Sequence, residues 1–259
     1  MQTEAVANLN VTVFDPHPEV VVAQEQFLRA LGFPVGYSPN ERVSALMQTT
    51  REWYERNGKP WLFIRQAESL AWSDEGATVE GVAFKSPRLA KLLAGAEACG
   101  AALVAVCAGR ETEVESQRRW EAGEPEQYFF LEAFAVAVVE QLMAAVGARL
   151  CSKADGRGLS VLPHFSPGYA GWPLSEQVLL VRLIQRRDWA VGLDFNVLPS
   201  GQLTPKKSQV ALFGLAPRSE RFRKITEMIP CESCCQSPCV FRRVPCRPEA
   251  PVALENSAA

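Results

Sequence analysis

The chain has 259 residues, of which 47% are apolar, enough to bury a substantial core in one large or two small domains. Its formal net charge of -2 and pI near 5.9 leave no global basic field, so nucleic acid is not an expected partner. No uninterrupted apolar run approaches the roughly 20 residues that span a bilayer, so no membrane partner is expected. The first residues also lack the pattern of a secretory signal. We therefore expect a cytoplasmic protein, in whose reducing compartment clustered cysteines are metal ligands or redox groups rather than disulfides.

Short strands and helices alternate in the predicted first half of the chain. A strand at residues 11–14 ends at a run of prolines and polar residues, and Gly32 is the predicted stop of the helix that follows. Ser86 is a predicted helix cap, with Pro87 at the first helical position. The predicted helices cover residues 19–31, 41–56 and 86–99, and further strands are expected at 61–64, within 77–84, and at 101–107, the last buried on both faces. Cys99 and Cys107 are predicted core residues.

The second half is dominated by one long predicted helix over residues 124–150, in which small and apolar residues return every three or four positions. A loop rich in Gly, Ser and Pro follows at residues 166–173, and the next helix is expected over 174–187. A strand is predicted at residues 210–215. Beyond it, a basic segment leads to a cluster of cysteines.

Two segments carry the residues best suited to a ligand site, HFSPGYAGWPLSEQ at residues 164–177 and LTPKKSQVALFG at residues 203–214. Gly168 permits backbone φ values that other residues avoid, and the prolines on either side stiffen the loop. Tyr169 and Trp172 have rings that can stack on a purine or a corrin edge. The alternative interpretation is a tight turn between two helices, with its aromatic side chains buried as packing.

These segments resemble the reactivation domain of cobalamin-dependent methionine synthase, which binds S-adenosylmethionine (AdoMet), in the free-standing version found without the catalytic modules. The first family motif has an Arg shortly before a Pro-Gly-Tyr turn and then a Trp-Pro or Cys-Pro step. The second has a Pro ahead of a Lys-Ser-x-Ser-Gly type segment. The resemblance covers residues 85–217 well, where a strand ending in Ala-Gly precedes the long helix. The chain matches the two motifs at Pro167, Gly168, Tyr169, Trp172 and Pro173, and at Pro205, Lys207 and Ser208.

Two departures from the family pattern affect the implied AdoMet site. His164 stands where the family has the Arg that grips the methionine carboxylate, and a histidine is charged only part of the time near neutral pH. Val210 and Ala211 stand where the family has Ser-Gly, which adds Cβ atoms where backbone approaches the ligand. Weaker AdoMet binding is the expected consequence. The residues that the resemblance implies for the cleft are His164, Pro167, Gly168, Tyr169, Trp172, Lys207 and Ser208.

Five of the eight cysteines fall within CESCCQSPCVFRRVPC at residues 231–246. A CxxC step followed by a CxxxxC step lets thiolates converge on one metal ion, and the nearby arginines lower thiolate pKa values and offset negative charge. Free-standing members of the family have a similar Cys-rich tail. A zinc site, an iron-sulfur cluster and a reduced, metal-free tail all remain open. The predicted ligands are Cys231, Cys234, Cys239 and Cys246, with Cys235 as a spare thiol.

The fold that the resemblance implies is α+β, a twisted and mostly antiparallel sheet with long flanking helices and a Cys-rich C-terminal appendage. Residues 1–225 are expected to form the α+β domain, 226–250 the metal-binding segment and 251–259 a disordered tail. The implied function is an accessory one in corrinoid-dependent methyl transfer. In the family, reactivation supplies an electron and the methyl group of AdoMet to a cobalamin in the inert Co(II) state.

The chain has no corrinoid-binding segment of the DxHxxG type, so the corrinoid is expected on a partner, either a corrinoid protein or a cobalamin-dependent methyltransferase. Whether the chain is itself an enzyme stays open. One alternative is a methyltransferase subunit that acts on methylcobalamin or folate, which methyl transfer by the isolated chain would favour. Another is a non-catalytic metal-binding partner protein, which unchanged partner turnover after removal of the cysteines would favour.

Overall fold

The computed structural model describes residues 9–186 and 195–218. A five-stranded antiparallel sheet with strand order β1-β2-β6-β10-β7 organises them, beside a three-stranded sheet of β3, β4 and β5 and a short pair of β8 and β9. The strands are β1 Thr12–Asp15, β2 Trp61–Gln66, β3 Leu70–Ser73, β4 Gly76–Val79, β5 Val82–Phe84, β6 Gly100–Cys107, β7 Leu159–Val161, β8 Asn196–Val197, β9 Leu203–Thr204 and β10 Ser208–Pro217. The helices are α1 Gln24–Ala30, α2 Glu41–Asn57, α3 Pro87–Gly95, α4 Arg110–Glu121, α5 Pro125–Asp155 and α6 Gln177–Gln185.

β6 is the central strand of the large sheet and is buried along its whole length, as its continuous apolar sequence predicted. Its side chains alternate between two core clusters, with Val104 in one and Leu103 in the other. β2 and β10 pair with its two edges, so that Val104 lies between Ile64 and Ala211. The sheet therefore has two apolar faces, and each must be covered.

α5 covers one face of the sheet together with α1 and α2. Apolar residues at helical spacing, including Phe134, Val138 and Leu142, pack into this core. By length and composition alone α5 could cross a membrane, although it contains no uninterrupted apolar run of that length. However, 56% of its most apolar window is buried inside the protein. This is the packing of a core helix.

The other face is covered by α3, α6 and the three-stranded sheet. Leu89 and Leu93 of α3, Leu180 and Ile184 of α6, and Val79 of β4 are all fully buried there. Ser86 caps α3 by accepting a hydrogen bond from the Leu89 backbone, and Pro87 occupies the first turn, as predicted. The loop with the first of the two predicted ligand segments packs on this side, between β7 and α6.

Several predicted boundaries are corrected by the structure. The helix predicted over residues 19–31 begins only at Gln24, because three consecutive valines precede it and β-branched side chains disfavour helix. The helix predicted over 86–99 ends at Gly95, and the one predicted from 174 opens with a 3₁₀ turn, Leu174–Glu176. Cys107 is fully buried as expected, whereas Cys99 is only half-buried.

Five elements of the described residues were not predicted from the sequence, namely β3, β7, β8, β9 and α4. The four strands are short, and α4, RETEVESQRRWE, is too polar to have a clear apolar stripe. The Cys-rich segment and the predicted boundaries at 225 and 250 lie outside the described residues.

Candidate functional site

The loop after β7 runs alongside β10 and is positioned by it. Leu162 N–H donates to the Gly214 carbonyl at 2.9 Å, and Phe165 and Leu212 exchange two backbone hydrogen bonds, each of 2.9 Å. This pairing extends the sheet beyond the end of β7. It brings His164 against Phe213, with ring centroids 5.5 Å apart.

The tip of the loop closes on itself through its backbone. Gly168 N–H donates to the Trp172 carbonyl, and Trp172 N–H donates to the Tyr169 carbonyl, both at 2.9 Å. Gly168 has φ +93° and Gly171 has φ +86°, in the left-handed region that side chains disfavour. A Cβ at Gly171 would also come within 2.9 Å of the Arg88 Cβ. Both glycines are therefore required for the shape of the turn.

His164 is half-buried, and burial lowers its pKa to about 4, so its ring is neutral near neutral pH. Its Nε2 lies 2.9 Å from the Tyr169 hydroxyl, to which the Gln209 amide donates at 2.9 Å. Because Gln209 supplies an N–H to that hydroxyl, Tyr169 can donate its own hydrogen to Nε2, which leaves the imidazole hydrogen on Nδ1. His164 is a neutral hydrogen-bonding group here, and not a cationic grip for a carboxylate.

Gln209 joins the two predicted segments, although neither motif singled it out. Its amide donates to the Ser166 hydroxyl at 3.2 Å as well as to Tyr169. Tyr169 is 37% exposed and lies edge-on to Phe165, with ring centroids 5.7 Å apart. A ring that is held by its hydroxyl and open on its surface is suited to stack on a planar ligand. Strand alternation is the signal that would have found Gln209, two residues after Lys207.

Trp172 belongs to the core rather than to an open cleft. It is 2% exposed, stacks on Phe165 at 5.8 Å and meets the edge of Phe84 at 5.5 Å. Its indole N–H donates to Glu176 Oε2 at 3.0 Å. An enclosed ring of this kind has no face for a ligand, so for Trp172 the structure supports packing. Pro167 is buried as well.

Lys207 pairs with a carboxylate on α5. Its Nζ lies 3.2 Å from Glu132 Oε2, and the Lys206 Nζ lies 2.8 Å from Glu132 Oε1. Burial acts to raise the pKa of Glu132, but the hydrogen bond from Lys206 and the charge of Lys207 outweigh it and lower the pKa below its ordinary value. The cluster ties the start of β10 to the long helix.

Ser208 opens β10 opposite Cys107 of β6. Its hydroxyl is buried and has no hydrogen-bond partner within the described residues. Strand alternation directs it away from the face that Gln209 presents to the loop. At the start of β10, the side-chain contact with the loop therefore runs through Gln209 and not through Ser208.

Val210 and Ala211 of the second predicted segment are fully buried in β10. Val210 pairs with Ala105 and Ala211 with Val104, and their side chains enter the two core clusters. Their Cβ atoms thus fill the core on either side of the sheet.

The predicted metal ligands Cys231, Cys234, Cys239 and Cys246 lie outside the described residues. Within the two described ranges, no group of three or more His, Cys, Asp or Glu side chains could hold a metal ion. The cysteines of these ranges, Cys99, Cys107 and Cys151, are not joined in disulfide bonds.

No protein-family model matches the chain, and no curated protein matches its sequence. Among solved structures, the crystal structure of the MetH reactivation domain bound to AdoHcy is similar, with a TM-score of 0.54 and 10% sequence identity. The similarity covers 76% of this chain and 75% of that one. At this identity it shows the fold alone. The protein thus has an α+β fold with a curled antiparallel sheet, like that of the MetH reactivation domain, and the expected architecture is confirmed at this level.

Proposed function

We propose that this protein is an accessory factor in corrinoid-dependent methyl transfer, which binds AdoMet and assists the reactivation of a partner corrinoid protein. The observation that carries the proposal is the fold. The neighbouring structure shares the architecture over 76% of this chain and contains AdoHcy, which is what AdoMet becomes when its methyl group has been transferred.

The chemistry of this methyl transfer demands positioning rather than acid-base catalysis. A carbon-sulfur bond of the sulfonium breaks, the methyl group passes to the acceptor, and AdoHcy remains as a neutral thioether without any proton transfer. The loop is suited to this task. Tyr169 exposes a ring that can stack on the purine, His164 has a neutral Nδ1–H to donate, and Gln209 orients Tyr169.

The corrinoid in this proposal is carried by the partner, which is a corrinoid protein or a cobalamin-dependent methyltransferase. An external one-electron reductant and the methyl group of AdoMet together return its cobalt to the methylated state. The part of this chain is to hold AdoMet so that the methyl group faces the partner.

Calorimetric titration of AdoMet and AdoHcy into the purified protein tests the binding step. We expect both to bind, and Tyr169→Ala to weaken both by about tenfold, because stacking on an aromatic ring is worth about 1–3 kcal/mol per base. Phe129→Ala is the matched control, since Phe129 is a 51% exposed aromatic on α5. If the natural protein binds neither AdoMet nor AdoHcy, the proposal is refuted.

An anaerobic assay tests the partner step. The protein is mixed with a Co(II) corrinoid protein, a chemical reductant and methyl-labelled AdoMet, and the label is expected on the corrinoid only when the protein is present. Methyl transfer from methylcobalamin to folate by the isolated chain would instead favour a methyltransferase subunit.

The C-terminal cysteines extend the proposal to a metal centre at Cys231, Cys234, Cys239 and Cys246. Thiolate donors suit either zinc or an iron-sulfur cluster, and only the cluster could relay an electron. Metal analysis and absorbance spectra of anaerobically purified protein distinguish the two. Cys234→Ser should lower the metal content, whereas Cys99→Ser, at a half-buried cysteine of the described residues, should not. Protein that carries only traces of iron and zinc would contradict this part of the proposal.

A further inference from the structure

The first turn of α3 is fastened to the loop that carries the candidate site. Ser86 caps α3 and donates its hydroxyl hydrogen to the Gly171 carbonyl at 2.7 Å. The backbone N–H of Lys85 donates to both carboxylate oxygens of Glu176, at 3.0 and 2.9 Å, and Glu176 also accepts from the Trp172 indole. Hydrogen bonds from Lys85 and Ser86 therefore hold the N-terminus of α3 against the loop.

Arg88, the second residue of α3, lies at this junction. Its guanidinium carbon is 5.9 Å from the centroid of Phe165, and Phe165 is also the edge-on neighbour of Tyr169. The Arg88 Cβ lies so close to Gly171 that a side chain at Gly171 could not be accommodated without a shift. The half-buried arginine is thus held beside the aromatic residues of the loop, with a long stem that can redirect its planar head group.

The charge of Arg88 complements what the rest of the loop provides. His164 remains neutral at working pH because of its burial. The Glu176 carboxylate is occupied by backbone and indole donors. The N-terminus of α3 adds a partial positive charge on the side where Arg88 lies. Arg88 thus supplies a positive charge beside the ring of Phe165, which lies edge-on to Tyr169.

We infer that Arg88 is the residue that binds the carboxylate of AdoMet in this protein, through a pair of parallel hydrogen bonds from its guanidinium. The inference rests on the proposed function, since it names the group that one end of the ligand contacts. It assigns carboxylate binding to Arg88 of α3, and not to His164 in the loop.

Decarboxylated AdoMet provides the test, because it retains the adenosine, the sulfonium and the amine but lacks the carboxylate. Calorimetry compares it with AdoMet in the natural protein, in Arg88→Gln and in Arg88→Lys. We expect Arg88→Gln to weaken AdoMet by at least about tenfold and to leave decarboxylated AdoMet unchanged. Arg88→Lys should recover part of the affinity, because it keeps the charge but loses the paired geometry.

Arg182→Gln is the matched control, since Arg182 is an exposed arginine on α6. Equal weakening of both ligands by Arg88→Gln would mean that Arg88 merely supports the loop, and unchanged AdoMet binding would mean that the carboxylate is held elsewhere. Either result overturns the inference while leaving the proposed function standing. If the natural protein binds neither ligand, the proposed function fails, and the inference fails with it.

Discussion

His164 is expected to titrate far below the ordinary range of histidine. Burial lowers its pKa in the folded protein from 6.5 to about 4. Between these two values the unfolded chain binds a proton that the folded protein does not bind, so the free energy of unfolding falls as the pH falls from 6.5 to about 4. At about 1.4 kcal/mol per pKa unit, the loss amounts to about 3 kcal/mol.

The chain has two histidines, which makes the measurement direct. Proton NMR follows the ring signals of His17 and His164 against pH, and chemical denaturation at each pH gives the free energy of unfolding. We expect the natural protein to lose about 3 kcal/mol more stability than His164→Gln across this window, because glutamine does not titrate. His17→Gln, which removes an exposed histidine, is the matched control.

A pKa for His164 at or above the value of an exposed histidine would refute this reasoning, and so would parallel stability curves for the natural protein and His164→Gln. Nitrogen chemical shifts of the ring provide an independent check. They should report the hydrogen on Nδ1, because Nε2 lies 2.9 Å from the Tyr169 hydroxyl and is expected to accept from it. A hydrogen on Nε2 would contradict the assigned direction of the hydrogen bonds, in which Gln209 donates to Tyr169 and Tyr169 donates to His164.

Three further substitutions are predicted from the same structure. Tyr169→Phe removes the hydroxyl between His164 and Gln209 and should lower the free energy of unfolding by about 1 kcal/mol in chemical denaturation, whereas no change would show that these hydrogen bonds do not contribute. Trp172→Ala should cost about 3–5 kcal/mol in the same assay, and Trp120→Ala, at a 59% exposed position, far less; equal losses would contradict the core placement of Trp172. Glu132→Gln should destabilise the protein by about 1.5–3 kcal/mol at neutral pH, where its ionised carboxylate balances two lysines. Because the folded pKa of Glu132 is lowered, this contribution is lost as the pH falls through it, and denaturation curves that fail to converge in acid would oppose the assignment.

Local sequence was sufficient to predict the elements that have a strong local pattern. β6 has an uninterrupted apolar run that only a strand covered on both faces would need, and it is buried throughout. The cap at Ser86 and the proline after it defined the start of α3. The polar sequence of α4 lacks such a pattern, so that helix was missed.

The character of the candidate site was decided by contacts between residues far apart in sequence. The motif placed His164, Tyr169 and Trp172 in one loop. It did not indicate which of them is buried, because burial depends on the elements that fold over the loop. Phe84 and Phe165 enclose Trp172, while the Tyr169 hydroxyl is held by Gln209, 40 residues later. Such contacts set burial, and burial sets pKa, so the neutral state of His164 could not be inferred from its neighbours in the chain.

The same distinction applies to charge. The sequence shows a histidine in the loop and several arginines elsewhere, but it does not indicate which arginine lies near the loop. Only the packing of α3 against Gly171 brings Arg88 beside Phe165. A side chain's type is a property of the chain, whereas its electrostatic environment is a property of the folded arrangement, because Coulomb interactions depend on distance in space and on the surrounding solvent.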